Sequence, residues 1–302
     1  MHIIPYAVIG QTGQVLAKDV SFILNICRYC NQPTQQILNE YQSYPLLNEV
    51  LTISDFRGGA VYHFTIEHLP RIVALVPFLK RNPSIYRHVR KKEVSYVRNA
   101  FKMLGIDPKR LISGGVRARV CYLPQMGSRG VDMNIYNLQA LAETFKQYFN
   151  RNVRVVGKRK AIVFLVRSTT RSIKQQKQIA VQLQEIAKKR ALDFYMISDK
   201  NFPKIGAVMK ILQRAILLVG SHGAGMSNTL YIRPPASVIE IFCPTGNAHK
   251  YLYPTLSQLL GHRHFGLLGI NGCDGGINVN MTLFNNTLQF IQDNLLTSQI
   301  NR

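Results

Sequence analysis

The chain has 302 residues, with 38 Lys and Arg against 15 Asp and Glu, a formal net charge of +23. With 46% hydrophobic and 18% charged residues it is too apolar for an intrinsically disordered chain. The length suits two domains of ordinary size, and no apolar run approaches the roughly 20 residues of a membrane span.

In chain order, Met1 to Gln14 lacks a basic start followed by a long apolar core, so no signal peptide is expected and the chain reads as soluble and cytoplasmic. Five cysteines, Cys27, Cys30, Cys121, Cys243 and Cys273, are an odd count and predict free thiols. Cys27-x-x-Cys30 is half of a zinc site without a matching second pair, so it reads as structural. Val50–Ser54 is a short β-branched run ending at Asp55, with Gly58 and Gly59 turning behind it. From Ala60 to Leu79 apolar residues recur at helical spacing, and Pro70 predicts a break there. Ser95–Leu104 and Asn137–Phe149 read as helices, and Arg119–Leu123 as a strand.

The second half alternates strand and helix more plainly. Ala161–Val166, Phe194–Ile197, Ile216–Val219 and Val238–Phe242 are strand-like. Ile173–Ala191, Lys204–Arg214 and Met281–Leu296 are helical. Such alternation predicts right-handed crossovers and a parallel sheet, an α/β fold. A composition shift near Asn150–Lys158 suggests a boundary, giving domains 1–152 and 153–302, with the last helix free to pack on either.

Of the 38 basic residues, 30 lie between Lys80 and Arg214. A field of that sign attracts nucleic acid, an acidic membrane or a phosphorylated small molecule. Its densest tracts sit inside apolar-patterned segments, which speaks against a disordered nucleic-acid arm.

In an open parallel sheet ligands bind at the carboxyl ends of strands. Three groups fall there. Arg167, Ser168 and Arg171 occupy the first strand-to-helix turn of the second half. Gly220 to Asn228 forms a small-residue turn into a helix, with His222, Gly223, Ala224, Gly225 and Met226 at its centre. Glycines let a ligand approach the backbone, and a helix start points N–H groups at it, as suits a phosphate. Glu240 stands inside Val238-Ile239-Glu240-Ile241, where a carboxylate needs a partner, and the hydroxyls of a ribose would serve. In the first half, His63, Glu67 and Arg71 are spaced i, i+4, i+8 on one helix face. That is either a surface ladder or a catalytic base with orienting neighbours, and the pattern leaves both open. The turn at Arg167 lacks the Gly-x-Gly-x-x-Gly of a dinucleotide dehydrogenase.

These residues carry a resemblance. His222-Gly-Ala-Gly-Met-Ser-Asn, followed by Arg233-Pro-Pro and Val238-Ile-Glu-Ile, resembles closely the signature of glycosyltransferase family 61. Val61-Tyr62-His63-Phe64-Thr65-Ile66-Glu67-His68-Leu69-Pro70-Arg71 resembles the second signature of that family, Tyr-x-His-x-x-x-Glu-x-Leu-Pro-Arg, and Val166-Arg167-Ser168-Thr169-Thr170-Arg171 its Ser-Arg-x-x-x-Arg turn. Gln175-Gln176 stands where the family often has Asn-Glu.

The resemblance implies a GT-B fold: two Rossmann-like domains with parallel sheets facing across a cleft, the acceptor mainly on the first and a UDP-sugar on the second. It implies an inverting, metal-independent transfer with no cofactor beyond the UDP-sugar donor. Xylose is the first choice of sugar, N-acetylglucosamine or arabinose the alternatives, and a glycan hydroxyl the acceptor. Glu67 is the expected base, with His63 its partner or substitute and Asp55 third. Arg167, Ser168, Arg171, His222, Gly223, Ala224, Gly225, Met226 and Glu240 are the expected donor contacts. The chain resembles short soluble members from bacteria and large DNA viruses of algae. A basic nucleic-acid-binding protein is the alternative from another class; on the glycosyltransferase reading neither nucleic acid nor a membrane span is a partner.

Overall fold

The computed structural model describes residues 1–17, 20–22, 34–54, 58–124, 135–152, 160–200, 205–244 and 251–296. Asp55, Cys27, Cys30 and most of the expected boundary lie outside these. The chain divides into two units, Met1–Phe145 and Lys146–Arg302, each with its own sheet.

The first unit carries strands β1 His2–Ile9, β2 Val15–Ala17, β3 Val20–Phe22, β4 Leu46–Thr52, β5 Tyr86–His88, β6 Leu111–Ile112 and β7 Val116–Leu123. They form one sheet in the order β3-β2-β1-β7-β4-β5-β6. β4 runs parallel to β5 and β7, and β5 parallel to β6. β1 is antiparallel to β7 and β2, and β2 to β3. β4 begins four residues before the predicted strand, because Asn48 and Glu49 interrupt the apolar pattern. Across the sheet Tyr122 donates its hydroxyl proton to Glu49 Oε1 at 2.6 Å. That bond, followed by burial, pushes the phenol up to about 12. Ile4, Ile9, Val50, Val116 and Cys121 share one core. Burial pushes the Cys121 thiol up to about 12, which leaves it protonated and unreactive.

His88, fully buried, sits with Nδ1 2.9 Å from Thr52 Oγ1 and Nε2 2.8 Å from Gly114 O. Burial holds it down to about 4, so the imidazole is neutral at pH 7. The unfolded chain takes up this proton below about 6.5 while the fold refuses it until about 4. Stability is therefore complete above pH 6.5 and falls as the pH drops through that window. Urea midpoints measured from pH 7 to 4.5 should show the slope, and His88→Gln should reduce it, the remainder coming from the likewise depressed His68.

The second unit contributes β8 Ala161–Val166, β9 Asp193–Ser198, β10 Ala215–Ser221, β11 Ser237–Phe242, β12 Arg263–Asn271 and β13 Asn278–Val279. The sheet order is β13-β12-β11-β10-β8-β9, parallel except at β13. Every residue of β10 and β11 is buried, which explains sequences that are apolar throughout their interiors apart from Glu240. Helix Gln176–Lys189 buries Ile179, Leu183, Ile186 and Ala187. It begins three residues after the expected start because Ile173 pairs with Ile277 instead. The last helix, Met281–Ile291, is capped by Asn280 and packs Phe284, Leu288 and Ile291 into the core of this unit. No described helix is long and apolar enough to cross a membrane.

The expectation of free thiols is corrected at two positions. Cys243, just after β11, is disulfide-bonded to Cys273 in the turn after β12, a sequence separation of 30. The pairing joins elements whose proximity only the sheet order reveals. A loop of that length contributes about 3–4 kcal/mol through the unfolded state. Replacing both cysteines by serine should lower the unfolding free energy by about 3 kcal/mol, read from urea curves.

Candidate active site

In the second unit, the turns after β8 and β10 bring four predicted residues together. Arg167 follows β8 directly. Its Nε donates to Thr170 O at 2.8 Å and its Nη2 to Thr170 Oγ1 at 3.3 Å, which fixes the guanidinium plane. Arg171 takes a left-handed backbone, φ 60°, and its amide donates to Cys273 O at 3.1 Å. A side chain there costs about 1 kcal/mol or more and persists only where neighbours dictate it.

Gly223 shows why both arginines matter. Its φ of 154° belongs to glycine. A Cβ built on it would run into Arg167 Nη1 and lie 3.6 Å from Arg171 Cζ. Two guanidiniums thus converge on one glycine at the start of the 3-10 helix Ala224–Tyr231. Burial lowers the Arg167 pKa first, and the charge of Arg171 lowers it further, against smaller opposing effects of Asp199 and Tyr253. Among the described residues neither arginine is in an ion pair. Two guanidiniums this close suit an anion. Gly223→Ala should displace Arg167 and weaken binding of an anionic probe such as pyrophosphate at least about 10-fold, roughly one lost charged hydrogen bond, as read by calorimetry.

The exposed Ala224 and Gly225 begin that helix, and among the described residues no backbone hydrogen bond engages their amides. Met226 is different: it is buried, and its amide donates to Gly223 O at 2.9 Å. The expected Met226 amide contact is therefore corrected to a helix-start bond. Ser168 is also committed, since its amide and hydroxyl both donate to Asp199 Oδ1, at 3.0 and 2.7 Å.

Glu240 requires the largest correction. It is completely buried, so it offers no surface to a ribose. Its Oε1 is 2.6 Å from His222 Nδ1 and its Oε2 3.0 Å from His264 Nε2. The partner that a carboxylate inside an apolar strand requires is the imidazole of His222, with His264 at ion-pair distance but outside hydrogen-bond alignment. The His222 ring stacks on Phe242, centroids 5.3 Å apart, and meets the edge of Tyr253 at 5.6 Å. Tyr253, buried and with its pKa raised mainly by that burial, donates to Gly223 O at 2.7 Å. Sequence reasoning missed Tyr253, Phe242, His264, Thr170 and Asp199. Thr170 lies in the turn already singled out, and Phe242 and Asp199 at or just past the ends of predicted strands; Tyr253 and His264 had no such signal.

In the first unit, Ala60–Leu79 resolves into a π-helical stretch His63–His68 and helices Pro70–Val73 and Val76–Arg81. Pro70 is the first residue of the second segment, where its missing N–H does no harm. The π turn is closed by Leu69 N donating to Phe64 O at 2.8 Å, a distortion frequent at functional sites. It places His63 Nδ1 2.7 Å from Glu67 Oε2, both side chains about one-fifth exposed. A carboxylate holding one imidazole nitrogen fixes the tautomer and leaves the other nitrogen for a substrate. His68, one residue on, faces inward, and burial holds its pKa well below the usual value.

In an α/β fold, paired guanidiniums, exposed helix-start residues and an oriented imidazole are chemistry that suits an anion. Over residues 61–239 the chain matches the family described as Glycosyltransferase 61 and belongs to it. The match includes His63, Glu67, Arg167, Arg171 and His222. The curated protein O-linked-mannose beta-1,4-N-acetylglucosaminyltransferase 2 of Takifugu rubripes is 31% identical over 101 residues, 33% of this chain. The chain spans only 16% of that relative. A solved structure of a mutant flavo di-iron protein from Thermotoga maritima is 12% identical, covering 74% of this chain and 50% of its own, with a TM-score of 0.32.

Proposed function

We propose that the chain is an inverting glycosyltransferase of GT-B plan that moves a sugar from a UDP-sugar to a glycan hydroxyl without a metal ion. The observation that carries the reading is the convergence of Arg167 and Arg171 on Gly223. The two guanidiniums, the Ala224 and Gly225 amides and His222 would take the charge that gathers on the departing diphosphate. Fixed positive groups there do what a divalent cation does in other transferases. The His63–Glu67 pair of the first unit would deprotonate the acceptor. One displacement needs one base, and a hydrogen-bonded pair supplies it.

Family membership supports the reaction class, and xylose is the first sugar to test. The name of the Takifugu relative makes N-acetylglucosamine the second, and arabinose the third. The experiment is UDP release from these three donors, with and without a chelator. One donor should release UDP at a rate that the chelator leaves unchanged. No release from any donor, together with no calorimetric binding of UDP, would overturn the proposal; inhibition by the chelator would remove its metal-free part.

A further inference from the structure

We infer that Glu240, backed by His264 and Ser257, is the positioning apparatus of His222 and determines which of its nitrogens meets the diphosphate. The inference rests on the reading of His222 as a diphosphate ligand, and deepens it. Glu240 lies at the centre of β11, in a strand buried from Ser237 to Phe242. An aliphatic side chain would fit that position without the desolvation that a carboxylate suffers, so the sheet does not need an acid there.

What the acid does is visible in its contacts. Oε1 takes His222 Nδ1 at 2.6 Å, leaving Nε2 as the ring nitrogen available to a ligand. Phe242 on the ring face and Tyr253 at its edge hold the plane. On the far side Oε2 lies 3.0 Å from His264 Nε2, an ion-pair distance without hydrogen-bond alignment, and His264 Nδ1 lies 2.9 Å from Ser257 Oγ. Second-layer carboxylates of this kind orient an imidazole and sharpen its hydrogen bond to whatever it meets. Glu240 therefore touches no substrate and acts through His222. Its influence should be largest when charge builds on the leaving group.

The test uses Glu240→Leu, which suits the apolar strand, and Glu240→Gln, which preserves shape if leucine disturbs packing. Imidazole nitrogen NMR on the full chain without ligand should show the His222 proton on Nδ1, and show it leaving Nδ1 in the leucine variant. A wild-type His222 without a proton on Nδ1 would overturn the inference. With an active donor, kcat should fall about 100-fold in the leucine variant, the usual effect of a misdirected transition-state donor, while KM changes less than about threefold. Its melting temperature should equal or exceed that of the wild type. A raised KM with unchanged kcat, and loss of preference for UDP over its 2′-deoxy form, would return Glu240 to the ribose. If no UDP-sugar is turned over, the transfer reading fails, yet the NMR result still decides for or against the carboxylate.

Discussion

Glu67→Gln is expected to slow glycosyl transfer about a thousandfold while leaving UDP affinity within a factor of about three, given the 10²–10⁴-fold contribution of a positioned base. Glutamine keeps the size of the side chain and an oxygen that can still accept from His63 Nδ1, now 2.7 Å from the carboxylate. It cannot accept a proton, and it removes the charge that would stabilise a protonated His63. The variant is therefore silenced whether the acceptor proton goes to Glu67 itself or to His63 Nε2. His63→Gln separates the two routes. If Glu67 is the base, this second variant should retain about a tenth of the rate, because the loss is one of orientation rather than of the proton acceptor. Single-turnover rates with a saturating acceptor provide the measurement. Full turnover in Glu67→Gln would transfer the role to a residue outside this pair.

Arg167→Ala is expected to weaken UDP binding about 30-fold, in line with roughly 2 kcal/mol for one charged hydrogen bond. The empty protein should not suffer in proportion. Arg167 and Arg171 repel each other, and Arg167 is already disfavoured by burial. Removing one relieves the other, so the urea midpoint should hold steady or rise. A ligand-binding group that is neutral or unfavourable for the apo fold gives this opposite pair of outcomes; a structural arginine gives a loss in both. Arg171→Ala should behave similarly, with a smaller apo benefit because its backbone remains in a left-handed conformation. Affinity for UDP should also fall between low and physiological salt, by less than for exposed charges, since partial burial limits screening. Titration calorimetry and urea curves on the same samples decide the matter. Unchanged affinity in Arg167→Ala would count against the clamp.

The strands that could be read directly were those buried on both faces. β8, β10 and β11 are almost wholly buried, so their sequences are near-continuous apolar runs, broken inside only by Glu240. β1 was hidden by Pro5, which interrupts the usual strand pattern, and by Tyr6, whose φ is 48°. β12 carries Gly266 and Gly269 and exposes Leu268 and Ile270, a pattern without clear alternation. The site was legible where one turn holds its own chemistry: Arg167 with Thr170, His63 with Glu67, Gly223 before a helix. It was illegible where chemistry crosses strands. His264 reaches Glu240 because β11 and β12 are parallel neighbours, with Val238 opposite His264 and Glu240 opposite Gly266. No spacing in the sequence encodes that register. The imidazole beside Glu240 was hidden for the same reason, since a carboxylate in an apolar run announces a need for a partner and not its identity. Cys243 and Cys273 were likewise separated by an entire strand and helix.

The bond between those two cysteines bears on how the molecule is prepared. A host that keeps its glutathione reduced delivers this chain with both sulfurs as thiols, whereas an oxidising export route delivers it as a cystine. The two batches share a sequence and a mass to within two hydrogens, but in only one is the carbonyl behind Arg171 tethered covalently to the strand behind His222. Thiol counting by alkylation is therefore the first assay to run on any batch, ahead of any comparison of donors.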